Sequence, residues 1–325
     1  MRAVTHDTFG DPAEVLRQSD RPIPQPGPRQ VRLKVILSPV HNHDLSTVRG
    51  QYGYRPELPA IGGTEAVGII DAVGEGLDAG MAGRRVAVGG IHGSWAEYVL
   101  ASATGLVPVP DTIPDESAAQ LVAMPFSAIT LLDHLDVSSG DWIIQNAANG
   151  AVGRMLSRLA AARGVNCVSL VRRADGVAEL QASGIANAVS TAENGWQDRV
   201  REITAGAAIR VGVDSVGGTA SGDLAALIGD NGRMVVFGSM TAQPVVIPPG
   251  EFIFRNLTLR GFWGSSVMAR LPQERRAALM GEVIGRVMSG DLPLPVDGIF
   301  GLDRPADAVR ASLTPGKVGK VMFRP

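Results

Sequence analysis

Gln145-Asn146-Ala147-Ala148-Asn149-Gly150-Ala151-Val152-Gly153 follows the short apolar run Trp142-Ile143-Ile144 and leads into Met155, Leu156, Leu159 and Ala160, spaced as one face of a helix. A strand, a turn of small residues and a helix start are the parts that hold a dinucleotide pyrophosphate. Small residues let the backbone come close to the phosphates, and the free N–H groups at the helix start favour negative charge. The turn departs from G-x-G-x-x-G, because Ala148 stands where the first glycine belongs. The strand expected over 165–171 ends at Arg172-Arg173, about twenty residues on, where the ribose-reading residue is expected. No carboxylate stands there to accept a 2′-hydroxyl. Two guanidiniums suit a 2′-phosphate, so the cofactor expected is NADPH. Asn149, Gly150, Ala151 and Val152 are the candidates for the pyrophosphate, and Arg172 and Arg173 for the 2′-phosphate.

Outward from this turn, strands and helices alternate. Strands are expected at 142–146, 165–171, 188–190, 211–214 and 233–237, with helices at 152–163, 176–183, 195–204 and 218–228. That rhythm implies a parallel sheet covered by helices on both faces. The first third reads differently. Val31, Leu33 and Val35 alternate with Arg32 and Lys34, and short strands follow near 66–70, 86–88 and 98–100, separated by Gly and Pro clusters. These imply a small barrel or sandwich. Beyond Pro248-Pro249 come a strand at 257–263, a long amphipathic helix at 272–289, a helix at 303–313 and a last strand at 318–323. The expected division is 1–116 as a β-rich catalytic domain, 117–256 as a Rossmann nucleotide domain and 257–325 as a return that completes the first.

Composition narrows the function. The 325 residues carry a net charge of −2, which argues against nucleic acid or anionic membrane as a partner. One cysteine, Cys167, rules out an intrachain disulfide and reads as a small buried hydrophobe. No signal-peptide pattern and no long apolar run occurs, so a soluble cytoplasmic protein is expected. His41 and His43 lie two residues apart with no third histidine or cysteine close in sequence, so no tetrahedral metal site is expected. Asp44 reads as a turn or capping residue.

A β-rich start, a central dinucleotide domain and a C-terminal return resemble the medium-chain dehydrogenase/reductase superfamily, over essentially the whole chain. Arg49-Gly50-Gln51-Tyr52-Gly53, followed by Pro56-Glu57-Leu58-Pro59, Gly62-Gly63 and Glu65, is similar to the block that carries the catalytic tyrosine of the zinc-free enoyl thioester reductases. Ile144-Gln145-Asn146-Ala147 with Asn149 is similar to their nucleotide turn. Phe237-Gly238-Ser239-Met240 and Leu259-Arg260-Gly261-Phe262-Trp263 are similar to their later cofactor-lining segments. Gly63-Thr64-Glu65 stands where the zinc enzymes of the superfamily carry Gly-His-Glu, and Met124 stands where many enoyl reductases carry asparagine.

The resemblance implies an α/β fold with a GroES-like barrel and a doubly wound Rossmann domain. It implies Tyr52 as the proton donor and Ser127, Phe237, Gly238, Ser239, Met240, Phe262, Trp263 and Lys320 as further cofactor contacts. It also implies a homodimer joined at the edge strand near 257–261. The activity expected is NADPH-dependent reduction of an activated C=C bond in a small molecule, a 2-enoyl thioester first and a quinone second. A non-catalytic NADPH-binding protein is the expectation from another class. Without a metal, the charge that develops on the carbonyl oxygen needs hydrogen-bond donors, and the α carbon needs an acid. A phenol can supply that proton.

Overall fold

The computed structural model describes residues 1–325, and the chain separates into two compact units. One comprises Met1–Met124 and Val283–Pro325, the other Pro125–Glu282. These bounds differ from the expected 117–256. The strand Thr258–Gly261 pairs in parallel with Ile228–Val236, so the segment after 256 extends the nucleotide sheet and does not return to the barrel. The return begins only at Val283, within the helix Gln273–Ser289.

In the first unit the strand Gln30–Pro39 is central. Val31, Leu33, Val35 and Leu37 are buried, while Lys34 is exposed, as a period of two requires. It pairs antiparallel with Glu65–Val73 and with Tyr98–Ser102, placing Leu33 opposite Ile70 and Val99. The sheet continues through Arg85–Gly89 to Val107–Pro108 on one side. On the other it passes through Lys320–Arg324 to Val296–Gly301. The last two strands are parallel, joined through the helix Pro305–Leu313. A separate three-stranded sheet, Arg17–Asp20, Arg2–His6 and Ala60–Ile61, was not expected. Trp95, Phe323, Leu45 and Val48 form the core beneath it.

In the second unit six parallel strands run in the order Ala188–Ser190, Asn166–Val171, Trp142–Gln145, Ile209–Asp214, Ile228–Val236, Thr258–Gly261. The order reverses beside Trp142–Gln145, so the turn 146–150 sits at the switch point where doubly wound sheets bind ligands. Ile144, Val168, Leu170, Leu224, Ile228 and Met234 fill the core. The helix 218–228 expected from sequence is shorter, Ala220–Ala225, because Ile228 already belongs to the next strand.

Candidate active site

Two sets of residues carry chemistry, one in each unit. In the nucleotide unit, the chain turns sharply after Gln145 with Ala147 in the left-handed region at φ 50°. Ala148 is fully buried against Val171, Leu180 and Ile185, so its methyl group packs into a small core instead of crowding a ligand. Gly153 plays the close-packing part. A Cβ there would lie 2.7 Å from Ala148 Cα, so no larger residue lets the helix approach the turn. The helix Ala151–Ala162 starts at Gly150 with no side-chain cap, leaving its first N–H groups for an anion.

The loop is held from below by a buried network. Asn146 Nδ2 donates to Asp214 Oδ1 at 2.7 Å, and Asn146 Oδ1 accepts from the Ser215 N–H at 2.7 Å. Asp214 also accepts from the N–H groups of Val216 and Gly217 and from the Ser221 hydroxyl. Arg154 Nε donates to the Asn149 carbonyl at 3.0 Å. This strut went unread in the sequence, since a single asparagine and aspartate 68 residues apart leave no local pattern.

The two arginines part company. Arg173 pairs with Glu179 at 3.4 Å and Asp175 at 3.8 Å. Arg172 is exposed at the end of the strand Asn166–Val171 and forms no ion pair. Phe237, Gly238, Ser239 and Met240 follow the strand Ile228–Val236, so they leave the same end of the sheet as the turn. The N–H groups of Phe237 and Gly238 donate to the Asp214 carbonyl. Met240 is 72% exposed and Phe262 is buried, edge-on to His134 with ring centroids 5.4 Å apart. Trp263 is 56% exposed. With Phe262, Arg260 and Arg270 it lines an open pocket of about 440 Å³ that none of the turn residues touches. Ser127 lies on the helix Ala123–His134, its Oγ close to Gly264. Cys167 is buried, and burial pushes its thiol up to about 11, which leaves it inert.

In the other unit the site is built on the helix Asn42–Val48. His41 caps it, and Asp44 Oδ2 accepts the His41 N–H at 2.9 Å, the capping role expected for Asp44. The helix ends in a Schellman turn: Gly50 has φ 72°, its N–H reaches the Thr47 carbonyl, and the Gln51 N–H reaches Ser46. That turn throws the chain out to Tyr52, whose ring lies 5.7 Å from that of His43. Gly62 and Gly63 pass against Trp95, where a Cβ on Gly62 would fall 2.3 Å from the indole, and so bring Thr64 and Glu65 under the helix.

Glu65 is fully buried. Its Oε2 lies 2.7 Å from His41 Nε2, and its Oε1 accepts the N–H groups of Val122 and Ala123 at 2.6 and 2.7 Å. Burial raises its carboxyl to about 7 against the pull of those N–H groups. Burial pushes His41 well below the usual imidazole range, with Lys320 adding to the effect. The imidazole is therefore held neutral beside Glu65. His41 Nε2 and both Glu65 oxygens are engaged in these bonds, and the only cysteine lies in the other unit, so the donor set does not fit a tetrahedral zinc.

Lys320, expected among the cofactor contacts, lies in this unit on the strand Lys320–Arg324, buried where Glu65 and Asp44 act on its charge. Burial, with Lys317, pushes it down to about 8. The unfolded chain therefore holds more protons than the folded one between about 8 and 10.5, and stability attributable to this group rises with pH over that window. Wild type is expected to gain on a Lys320→Met variant by about 2 kcal/mol between pH 8 and 10. Thermal melts of both proteins across that range check it, and parallel curves would refute it.

Residues 27–111 match the alcohol dehydrogenase GroES-like domain, and residues 151–280 match the zinc-binding dehydrogenase domain. The human mitochondrial enoyl-[acyl-carrier-protein] reductase is 30% identical over 329 residues, covering 97% of this chain and 86% of the relative. The chain belongs to the medium-chain dehydrogenase/reductase family. Among solved members of this family, a Bacillus thuringiensis protein described as an NADPH:quinone reductase superposes with a TM-score of 0.93 at 25% identity. The match covers 100% of this chain and 98% of that one. A mycobacterial protein solved in complex with NADPH superposes with a TM-score of 0.87 at 27% identity, covering 100% of both chains. The α/β fold with a GroES-like domain and a nucleotide-binding domain is thus the one expected from sequence.

Proposed function

We propose that this family member reduces the activated C=C bond of 2-enoyl thioesters with NADPH. The observation that carries the reading is Tyr52, presented on a Schellman-capped helix end in a chain whose nucleotide turn has an uncapped helix start and an unpaired arginine beyond it. Bound NADPH would supply the hydride. The free N–H groups of Asn149, Ala151 and Val152, together with the side-chain-free backbone at Gly150, whose own N–H is bonded to the Ala147 carbonyl, would hold the pyrophosphate, and Arg172, ahead of the already paired Arg173, the 2′-phosphate. Ser127, Phe237, Gly238, Ser239, Met240, Phe262 and Trp263 are assigned to the nicotinamide half. Tyr52 delivers a proton to the α carbon of the substrate.

Quinone reduction is the second reading, supported by the Bacillus neighbour and by Met124, whose thioether lacks the hydrogen bonds of an asparagine amide. NADPH oxidation measured with crotonyl-CoA and with a naphthoquinone ranks the two. Faster turnover of the thioester is expected. Turnover of the quinone alone would overturn the first reading, and tight NADPH binding with no turnover would favour a binding protein.

A homodimer is part of this proposal. The edge strand Thr258–Gly261 is exposed at all four residues and carries Leu259, with Ile253 and Phe254 exposed just before it. An open apolar edge is a template for a second copy. Leu259→Lys is expected to yield a folded monomer by sedimentation velocity, and an unchanged dimer would reject this edge as the interface. No helix is long and apolar enough to cross a membrane.

A further inference from the structure

We propose that His43 is a positioning and proton-relay residue acting through Tyr52: it returns to the phenol the proton that reduction removes. This inference rests on the assignment of Tyr52 as proton donor. Its basis is a chain of hydrogen bonds in which every proton has a forced place. Thr64 Oγ1 donates its single hydrogen to Asp44 Oδ1 at 2.7 Å. The same oxygen lies 2.8 Å from His43 Nε2, so Nε2 must be the donor in that bond. The imidazole is therefore fixed as the Nε2–H form, and Nδ1 is the one position left to gain or lose a proton.

The surroundings set a carboxyl group behind that ring and leave it open to water. Asp44 is buried, its second oxygen is held by the His41 N–H, and Oδ1 lies 3.4 Å from His43 Nε2, so a fixed carboxyl group stands behind the imidazole. His41 stacks on the ring at 5.0 Å, and burial keeps it neutral, so it does not oppose a charge on its neighbour. Glu65, His92 and Lys320 are the other titratable groups of this cluster. Burial pushes Glu65 up and His92 and Lys320 down, each away from its ionised form. The His43 side chain is 24% exposed, unlike fully enclosed His41, so water can reach it. Tyr52 is its ring neighbour.

The step balances. Tyr52 Oη gives its proton to the α carbon as the new C–H bond forms, leaving a phenolate. The Nδ1–H of the His43 imidazolium breaks and its proton passes to that oxygen, directly or through one water. The neutral ring keeps Nε2–H on Thr64 and takes its next proton from solvent at Nδ1.

The test uses the full chain with NADPH and crotonyl-CoA. Wild-type turnover must be present; its absence counts against the enoyl reductase reading itself and is thereby told apart from a failure here. His43→Phe, which keeps a ring against Tyr52, and His43→Gln, which keeps a donor for Thr64, are expected to lower kcat by about 100-fold with little change in KM. Added imidazole is expected to restore part of the rate, and the solvent deuterium isotope effect on kcat is expected to rise above that of wild type. The proposal is overturned if both variants retain wild-type kcat. It is equally overturned if both lose kcat with no recovery by imidazole and no change in the isotope effect, since a structural role predicts that pattern.

Discussion

Tyr52→Phe is expected to lower kcat for a 2-enoyl thioester by about 10²–10⁴-fold, the span that a positioned general acid contributes. The substitution removes one oxygen and keeps the ring that packs beside His43, so the fold and the affinity for NADPH should be unchanged. The Schellman turn at Gly50 makes this loss local. Tyr52 stands two residues beyond Gly50, in a turn that the Thr47 and Ser46 carbonyls pin. Tyr54 is engaged elsewhere, stacked on His92 with ring centroids 4.1 Å apart. Steady-state kinetics with crotonyl-CoA, together with NADPH titration by fluorescence, separate the two effects. A Tyr52→Phe enzyme with wild-type kcat would remove the assigned proton donor.

The second large effect concerns the coenzyme. Arg172→Glu is expected to raise KM for NADPH by roughly 10- to 150-fold, the equivalent of the 1.5–3 kcal/mol carried by hydrogen bonds to a charged group. KM for NADH, which has no 2′-phosphate, should stay unchanged. Arg173→Ala should do less, because Glu179 and Asp175 already engage its guanidinium. The sequence alone gives both arginines the same standing; the fold separates them. Equal loss of NADPH and NADH affinity in Arg172→Glu would mean that the residue supports the fold rather than reads the phosphate.

What the sequence reveals follows from how local each signal is. The strand Ala188–Ser190 lies at its expected place, and the buried positions Val31, Leu33 and Val35 follow directly from alternation. The nucleotide turn is equally local, since a strand, small residues and a helical face lie within about twenty residues. The strand Ile228–Val236 starts earlier than the expected 233, running through the turn-forming residues Gly229-Asp230-Asn231-Gly232. Asn231 does take φ 60° there, yet pairing with Ile209–Asp214 continues on both sides of the irregularity. The bounds of the nucleotide unit differ from the expected 117–256 for a related reason. Pro248-Pro249 looks like a boundary, whereas the sheet accepts one more parallel strand after it.

The Glu65 cluster lies beyond local pattern altogether. Its partners are 24, 57 and 58 residues away, and an isolated glutamate before an apolar run carries no mark of full burial. The burial of Lys320 is hidden for the same reason, as only the fold brings the last strand beside Glu65. The pairing of His43 with Thr64 and Asp44 needs the Gly62-Gly63 passage against Trp95, which only the packed structure discloses.

The most direct measurement follows the label. With NADPH carrying deuterium at the transferable position of the nicotinamide and crotonyl-CoA as substrate, mass spectrometry and NMR of the product should show one deuterium on the β carbon and one solvent-derived hydrogen on the α carbon. Consumption of NADPH that leaves the thioester unlabelled and unreduced would contradict enoyl reduction as the activity of this protein.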